Sequence, residues 1–138
     1  MFATPDKLLC AFVTIAASLL YTWMAIQVSK ARGKYNVPAP AMSGAPEFER
    51  TFRVHQNTLE SLPVFFAMLW LAVIYFQGWL PGIIGIIWIV GRVIYMIGYN
   101  SGADKRGIGF IIAQLSVLAL LILALIGTVN AWMAVSAV

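Results

Sequence analysis

The chain has 138 residues, of which 62% are hydrophobic and 10% are charged, and its formal net charge is +4. A soluble domain ordinarily carries about 25% charged and about 45–50% apolar residues. Acidic and basic side chains are absent from residues 8–29, 61–91 and 107–138, and about 20 apolar residues cross the roughly 30 Å hydrocarbon core of a bilayer. The composition therefore excludes a soluble globule, a disordered tail and a nucleic-acid-binding arm. It predicts a single all-α domain embedded in a membrane.

The first predicted span covers about residues 7–29. Its apolar stretch is longer than the roughly 7–15 residues of a signal-peptide core, so we expect it to be retained as a helix. Cys10, the only cysteine of the chain, lies inside this span. A single cysteine excludes an internal disulfide and a cysteine-based zinc site, and its apolar setting favours a packing role.

The second predicted span covers about residues 46–77 and begins outside the apolar region. Pro46 suits the first turn of a helix, where its missing N–H costs nothing, and Glu47 and Glu49 suit the positive end of the helix dipole. At about 1.5 Å per residue this helix is longer than the bilayer is thick, so its first turns should project into water. Pro63 removes one backbone hydrogen bond within the span and is expected to kink it.

The third and fourth spans are predicted at about residues 81–100 and 105–132. Gly78 and Pro81 form the break before the third span, because neither residue type favours the continuation of a helix. Asp104 is expected to cap the fourth helix, since an aspartate side chain accepts hydrogen bonds from the free N–H groups of a first turn.

Basic residues are distributed unevenly between the two ends of the predicted spans. Seven basic residues lie near the connection between the first and second spans or the connection between the third and fourth spans. They are Lys30, Arg32, Lys34, Arg50, Arg53, Lys105 and Arg106. The opposite ends carry only Lys7. Because cytoplasmic loops of membrane proteins are enriched in Lys and Arg, we expect both basic connections in the cytoplasm and both termini on the other side.

Polar side chains repeat at helical spacing within the second span. Arg53, Asn57 and Glu60 are separated by four and then three residues, which places them on one face of a helix. His55, the only histidine, lies beside that face. Charged residues at membrane depth are costly and normally face a bundle interior or a wet cavity. Spacing alone leaves two interpretations of Arg53 and Glu60 open, a ligand site or a structural ion pair, and His55 can be a ligand contact or a plain hydrogen-bonding side chain.

A second polar face is predicted on the third span. Arg92, Tyr95 and Tyr99 are separated by three and then four residues, and Arg106 follows at the start of the fourth span. Two polar faces near one membrane surface predict a shared pocket for a zwitterionic ligand with excess negative charge, because Arg binds carboxylates through two parallel hydrogen bonds. Other interpretations remain open. Arg92 is expected to be structural, neutralising a carboxylate such as Glu60, while the tyrosines can belong to the interfacial belt and Arg106 can serve only as a topology signal.

Two runs of sequence carry a resemblance to a known family. The runs at residues 46–60, PEFERTFRVHQNTLE, followed by Pro63, and at residues 88–99, WIVGRVIYMIGY, resemble the membrane-associated proteins in eicosanoid and glutathione metabolism, the MAPEG family. The string HQNTLE at residues 55–60 most resembles the microsomal glutathione transferase type 3 branch of that family. The resemblance covers nearly the whole chain. One departure is Ser61, which stands where the leukotriene C synthase branch has a tyrosine.

The resemblance implies a homotrimer of four-helix subunits, with glutathione bound between neighbouring subunits on the cytoplasmic side. It implies that Arg106 is the catalytic residue, facing the glutathione thiol. The residues that it implies for holding glutathione are Arg32, Arg53, His55, Asn57, Glu60, Tyr95 and Tyr99. Glutathione is then a co-substrate, and no metal is needed.

The function expected on this basis is a membrane glutathione transferase, with or without glutathione-dependent peroxidase activity. It would join the glutathione thiolate to lipophilic electrophiles that enter from the bilayer. A non-catalytic lipid-binding or scaffold protein of the same fold remains the alternative. A small proton-coupled drug transporter is disfavoured, because such a protein needs a membrane-embedded carboxylate in its first span and residues 8–29 contain none. The sequence leaves open the electrophile and the host membrane, which is either a bacterial inner membrane or the endoplasmic reticulum.

Overall fold

A computed structural model of the protein describes residues 3–137. Within that range the chain forms four long helices and no β-strand. A π-helical segment, Ala72–Phe76, continues the second helix, and a short 3-10 helix, Ala103–Arg106, precedes the fourth. The four helices are α1 (Pro5–Tyr35), α2 (Pro46–Leu71), α3 (Leu80–Ser101) and α4 (Gly107–Ser136).

All four helices are long and apolar enough to cross a membrane. Each overlaps one of the four predicted spans, and the first helix extends furthest beyond its prediction. It contains 31 residues, which corresponds to about 46 Å of α-helix, against roughly 30 Å of hydrocarbon. The prediction of an all-α fold built from four long apolar helices is confirmed.

Two polar contacts define the ends of the bundle. At one end the backbone N–H of Gly78 donates to the Asp6 carboxylate at 3.1 Å, so the start of α1 lies beside the α2–α3 connection. At the other end the Thr51 hydroxyl lies 3.4 Å from the side-chain oxygen of Asn100, so the start of α2 lies beside the end of α3. Consecutive helices therefore run in opposite directions. The second end, which we call the basic end, carries Lys30, Arg32, Lys34, Arg50, Arg53, Lys105 and Arg106.

The core of the bundle is apolar and contains a stacked aromatic pair. Phe65 of α2 stacks on Trp88 of α3 with ring centroids 3.9 Å apart, and both side chains are fully buried. Leu69 and Leu120 are fully buried in the same cluster. The outward faces of the helices also carry large apolar side chains, such as Phe12 on α1. Such faces are suited to contact with lipid or with another subunit.

The close approach of α3 and α4 depends on Gly109. A Cβ atom at this position would collide with the backbone of Tyr95, and a Cβ atom at Gly91 would come within 2.8 Å of the backbone nitrogen of Ala113. Small residues at a helix–helix contact allow the two backbones to approach more closely than larger side chains permit. The contact sets Tyr95 against the first turns of α4, which begin immediately after Arg106.

The expectation that Asp104 caps the fourth helix is wrong. Asp104 lies within the 3-10 helix, and among the described residues no side chain caps that helix or α4. The backbone N–H of Lys105 donates to the Gly102 carbonyl at 3.0 Å. The chain then passes directly from the 3-10 helix into α4 at Gly107. Because α4 is preceded by helical backbone, Asp104 does not occupy the extended position from which a side chain caps a helix.

Candidate functional site

A polar cavity of about 110 Å³ lies at the basic end, between α2, α3 and the start of α4. We call it the polar pocket. Six of its seven lining residues are predicted site residues, and they come from both predicted polar faces. The lining consists of Arg53, Gln56, Asn57, Glu60, Tyr95, Tyr99 and Arg106. The two polar faces therefore meet at one cavity within a single chain.

Arg106 is held against α3 by Tyr99. The central carbon of its guanidinium lies 5.2 Å from the centroid of the Tyr99 ring, and its Nη1 donates to the Tyr99 hydroxyl at 3.4 Å. Gly98 permits this contact, because a Cβ atom there would collide with the Lys105 carbonyl. The buried Tyr95 ring packs beside Tyr99, with ring centroids 5.6 Å apart. Arg106 itself is exposed, so the rest of its guanidinium is accessible to a ligand.

The charged side chains of the polar pocket are not paired with one another. Among the described residues the only salt bridge joins Arg50 and Glu47, at 3.6 Å. Arg53 Nη1 instead donates to the side-chain oxygen of Gln56 at 3.3 Å, and Glu60 has no cation within salt-bridge distance in the described part of the chain. The structural ion pair between Arg53 and Glu60 is therefore not found within one chain. Two guanidiniums and one carboxylate line the cavity without neutralising one another.

Gln56 is the lining residue that the sequence patterns did not single out. It lies three residues after Arg53 and four residues before Glu60, so on an α-helix it falls on the same face as both. That spacing was the signal that could have identified it. Its side-chain oxygen orients the guanidinium of Arg53 at the edge of the pocket.

Arg92 is fully buried and contacts Asn57 rather than Glu60. Its Nη2 donates to the Asn57 backbone carbonyl at 2.7 Å and to the Asn57 side-chain oxygen at 3.0 Å. The guanidinium also lies 4.9 Å from the centroid of the Tyr95 ring and 5.6 Å from that of Trp88. The expectation that Arg92 neutralises Glu60 is wrong. The guanidinium contacts α2 at Asn57, about one helical turn before Glu60, and Glu60 instead lines the polar pocket. Arg92 does not line that pocket and joins α3 to α2 behind it.

Arg32 and His55 lie outside the polar pocket of their own chain. Arg32 Nη1 donates to the Ala41 carbonyl at 2.7 Å, and its guanidinium lies 5.0 Å from the centroid of the Phe48 ring. Arg32 therefore holds the α1–α2 connection against α2. His55 stacks on Tyr21 of α1, with ring centroids 4.6 Å apart. A single chain thus brings together six of the eight residues that the family resemblance implies for glutathione.

Two larger cavities adjoin the polar pocket. The first, of about 310 Å³, is lined by Asn57, Tyr95, Arg106, Gly107 and Phe110. The second, of about 300 Å³, lies between α2 and α4, and we call it the α2–α4 groove. Its lining consists of Asn57, Glu60, Ser61, Val64, Phe110, Gln114 and Val117. Because Asn57 borders all three cavities, the polar pocket at the basic end lies next to a groove that extends along the apolar part of α4.

The donor set of the polar pocket suits an organic zwitterion. It offers guanidinium and amide donors, phenol groups and one carboxylate, which together can bind carboxylates and an ammonium group. Within residues 3–137 no group of three or more His, Cys, Asp or Glu side chains is placed to hold a metal ion.

The sequence is similar to known proteins along most of its length. The profile of the MAPEG family matches residues 10–126. An uncharacterised protein of Synechocystis sp. is 42% identical over 84% of this chain and 85% of its own length. Human microsomal glutathione S-transferase 2 is 41% identical over 93% of this chain and 87% of its own length. Bovine leukotriene C4 synthase is 38% identical over 71% of this chain and 65% of its own length.

These similarities confirm membership of the MAPEG family. The assignment to the type 3 branch stays a prediction, because the human and bovine relatives are named as a type 2 transferase and a leukotriene C4 synthase. The four long apolar helices agree with the membrane setting that the family name describes. The chain is an integral membrane protein and belongs to the MAPEG family.

Proposed function

We propose that the protein is a glutathione transferase that joins the glutathione thiolate to lipophilic electrophiles dissolved in the membrane. The observation that carries this proposal is the polar pocket, in which Arg53, Arg106 and Glu60 line one cavity without pairing with one another. The similarity to a human glutathione S-transferase adds support. Glutathione is the co-substrate in this proposal, and no metal is required.

The charges of the pocket complement those of glutathione, which carries two carboxylates, one ammonium group and one thiol. Arg53 can bind a carboxylate through two parallel hydrogen bonds, which is the geometry that a guanidinium favours. Glu60 can hold the ammonium group, and Asn57 can donate from its amide nitrogen. The hydroxyls of Tyr95 and Tyr99 supply further hydrogen bonds from α3.

Arg106 is the residue that we assign to activation of the thiol. A free cysteine thiol has a pKa of about 8.5, and the thiolate is the nucleophile. A guanidinium beside the sulfur favours the anion and so lowers that pKa. The thiolate electron pair then forms a bond to the electrophilic carbon, and the leaving group departs with the electrons of the broken bond. With an epoxide the broken bond is C–O, and the ring oxygen takes up a proton.

Arg32 and His55 reach the site in this proposal through a homotrimer. Neither side chain lines the polar pocket of its own chain, and both lie near the basic end, on the end of α1 and the start of α2. A heterologous contact between neighbouring copies would bring these side chains of one subunit to the pocket of the next. The large apolar side chains on the outer faces are the surface on which such a contact, and contact with lipid, can form.

The basic end faces the cytoplasm in this proposal, because seven of the eight basic residues near helix ends lie there. Both termini then lie on the opposite side of the membrane, which is a bacterial inner membrane or the endoplasmic reticulum. The site can thus draw glutathione from the cytoplasm and the electrophile from the bilayer.

The test is a set of reactions with the purified full-length protein in lipid nanodiscs. Addition of glutathione should produce the ultraviolet absorbance of a bound thiolate, and conjugates should form with chlorodinitrobenzene and with a leukotriene epoxide. A lipid hydroperoxide tests the accompanying peroxidase activity, in which two glutathione molecules are oxidised to the disulfide while the hydroperoxide is reduced to an alcohol and water. Lipid binding without a thiolate signal or any of these reactions would favour the non-catalytic scaffold instead.

A further inference from the structure

The α2–α4 groove contains an amide at membrane depth. Gln114 lies on α4 between Phe110 and Val117, and all three line the groove. The surrounding stretch, residues 107–138, contains no charged side chain. Gln114 is the eighth residue after Arg106, which corresponds to a rise of about 12 Å along the helix. The amide therefore lies within the membrane-spanning part of α4.

Gln114 has no hydrogen-bond partner among the described residues. Its side chain is exposed in a single chain. Ser116, a nearby polar side chain on α4, has a hydrogen-bond partner, because its hydroxyl donates to the Ile112 carbonyl at 2.8 Å. Gln114 makes no such bond, and an amide without a partner is costly in hydrocarbon. A polar side chain in this position normally faces a polar cavity, a ligand or a polar group of a neighbouring helix. Because Gln114 lines the α2–α4 groove, a ligand in that groove is the candidate partner.

Ser61 lines the same groove from α2. Its hydroxyl donates to the Thr58 carbonyl at 2.9 Å, so its proton is already used while its oxygen can still accept a hydrogen bond. The amide of Gln114 offers both a donor and an acceptor. The two walls of the groove therefore present one N–H donor group and two acceptor oxygens to whatever lies between them.

We propose that Ser61 and Gln114 form a subsite for a hydroxyl group on an acyl chain, so that an electrophilic lipid with a free hydroxyl several bonds from its reacting carbon is preferred over the same lipid without that hydroxyl. The O–H of such a group donates to Ser61 Oγ or to Gln114 Oε1, and its oxygen accepts from Gln114 Nε2. A carbonyl uses less of the subsite, because it can only accept. This inference rests on the proposed glutathione chemistry, which puts the reacting carbon near Arg106 and the O–H several bonds further along the chain.

The remaining walls of the groove fit the rest of such a lipid. Val64 on α2 and Phe110 and Val117 on α4 provide apolar contacts for methylene groups. The groove adjoins the polar pocket through Asn57 and Glu60, which line both. An acyl chain in the groove can thus carry its electrophilic carbon to the pocket while its O–H remains at the subsite.

A matched pair of lipids tests the subsite. The pair is a fatty-acid epoxide with a hydroxyl on the chain and the same epoxide without it, each assayed with glutathione and the full-length protein in nanodiscs. In both reactions a C–S bond forms, the epoxide C–O bond breaks and the ring oxygen takes a proton. We expect kcat/KM to favour the hydroxylated lipid by about tenfold, the scale of one or two hydrogen bonds.

Two substitutions should reduce that preference. Gln114→Leu keeps the size of the side chain and removes the amide, so most of the preference in kcat/KM should be lost and only the contribution of the Ser61 acceptor should remain. Ser61→Ala should lower the ratio in part. The control is Asn130→Leu, which removes another exposed amide from α4 outside the groove and should leave the ratio as in the wild type.

Several outcomes would overturn the subsite. Equal kcat/KM for the two lipids in the wild type would do so, as would an unchanged preference in Gln114→Leu. A change in the mass of the assembly in Gln114→Leu, with the preference intact, would show that Gln114 contacts another subunit. Conjugation of chlorodinitrobenzene without any lipid preference overturns the subsite alone, whereas the absence of every conjugate overturns the proposed function together with the subsite.

Discussion

The guanidinium of Arg92 donates from a single nitrogen to both carbonyl groups of Asn57, at 2.7 Å to the backbone oxygen and at 3.0 Å to the side-chain oxygen. A guanidinium has donors and no acceptor, so this contact fixes which way the amide of Asn57 is turned. The amide nitrogen faces away from Arg92. Because Asn57 borders the polar pocket and both cavities beside it, its N–H groups are the part of the side chain available to a ligand.

A double-mutant cycle between these two residues tests whether Arg92 acts on glutathione through Asn57. We expect Arg92→Lys to weaken glutathione binding by about tenfold, because lysine is shorter and flexible and does not hold a donor at the position of the arginine Nη2. In an Asn57→Ala background the same substitution should have no further effect on the dissociation constant. Calorimetric titration of the four proteins measures this. Equal weakening in both backgrounds would contradict the assignment, and thermal unfolding of each variant separates binding from stability.

Removal of the Arg106 guanidinium should raise the pKa of the thiol of bound glutathione. In the proposed mechanism the Arg106 guanidinium holds the thiol pKa below its usual value of about 8.5, which would allow conjugation at neutral pH. In Arg106→Ala the rate at neutral pH should fall about 100-fold and should recover as the pH rises through about 8.5. The measurement is the pH profile of kcat with chlorodinitrobenzene. Lys105→Ala, which removes the neighbouring charge, is the control, and a profile identical to that of the wild type in Arg106→Ala would refute the role of the guanidinium.

Substitution of Gly109 should destabilise the bundle. A Cβ atom there would collide with the backbone of Tyr95 on the facing helix, so Gly109→Ala should lower the free energy of unfolding by about 1–3 kcal/mol. The matched control is Gly33→Ala, since a Cβ atom at Gly33 meets no atom within 4 Å and an added methyl group in a helix is favourable by about 1 kcal/mol. Thermal unfolding in the same detergent compares the two. An unchanged melting temperature in Gly109→Ala would show that α3 and α4 can separate without cost.

Mixed trimers test whether Arg32 serves the pocket of another subunit. If the proposed homotrimer is correct, Arg32→Ala and Arg53→Ala should each lose most glutathione conjugation, since each would remove one of the proposed glutathione-binding cations from every site. If one site takes Arg32 from one subunit and Arg53 from its neighbour, random assembly of the two variants restores both cations at about a quarter of the sites. Co-expression should then recover about a quarter of the wild-type activity.

The absence of recovery in those mixed assemblies would place both arginines in the site of one chain, or would remove Arg32 from the site altogether. Lys34→Ala, which changes a neighbouring charge on α1, controls for a general effect of charge at the basic end. Titration of glutathione into Arg32→Ala alone then shows whether the residue contributes to binding, or only to the α1–α2 connection that it holds through Ala41 and Phe48.

The positions of the four helices and of their polar faces could be predicted from local sequence patterns. Charge-free stretches located the four helices, because the hydrocarbon core tolerates few ionised side chains. Helical spacing was enough to place Arg53 and Glu60 on one face and Tyr95 and Tyr99 on another. That the two faces share a cavity followed from their common position near one membrane surface.

Features that depend on how two helices are aligned with each other could not be obtained in this way. The partner of Arg92 is Asn57 and not Glu60, because the relative height of α2 and α3 decides which residue a guanidinium reaches. The contact of Arg32 with the Ala41 carbonyl depends on the path of the α1–α2 connection. Asp104 does not cap α4 because it lies in a 3-10 helix, which has no clear sequence signature. Such features arise from tertiary contacts, which a single-helix pattern does not contain.

The burial of Arg92 has a consequence for biogenesis. Arg92 lies near the middle of α3 and is fully buried in the finished bundle. An arginine at the centre of a lone helix costs about 2.5–3.5 kcal/mol when that helix leaves the translocon for lipid. The carbonyls of Asn57 offset part of this cost only when α2 is already alongside. Insertion of α2 and α3 as a hairpin is therefore favoured over insertion of either helix on its own.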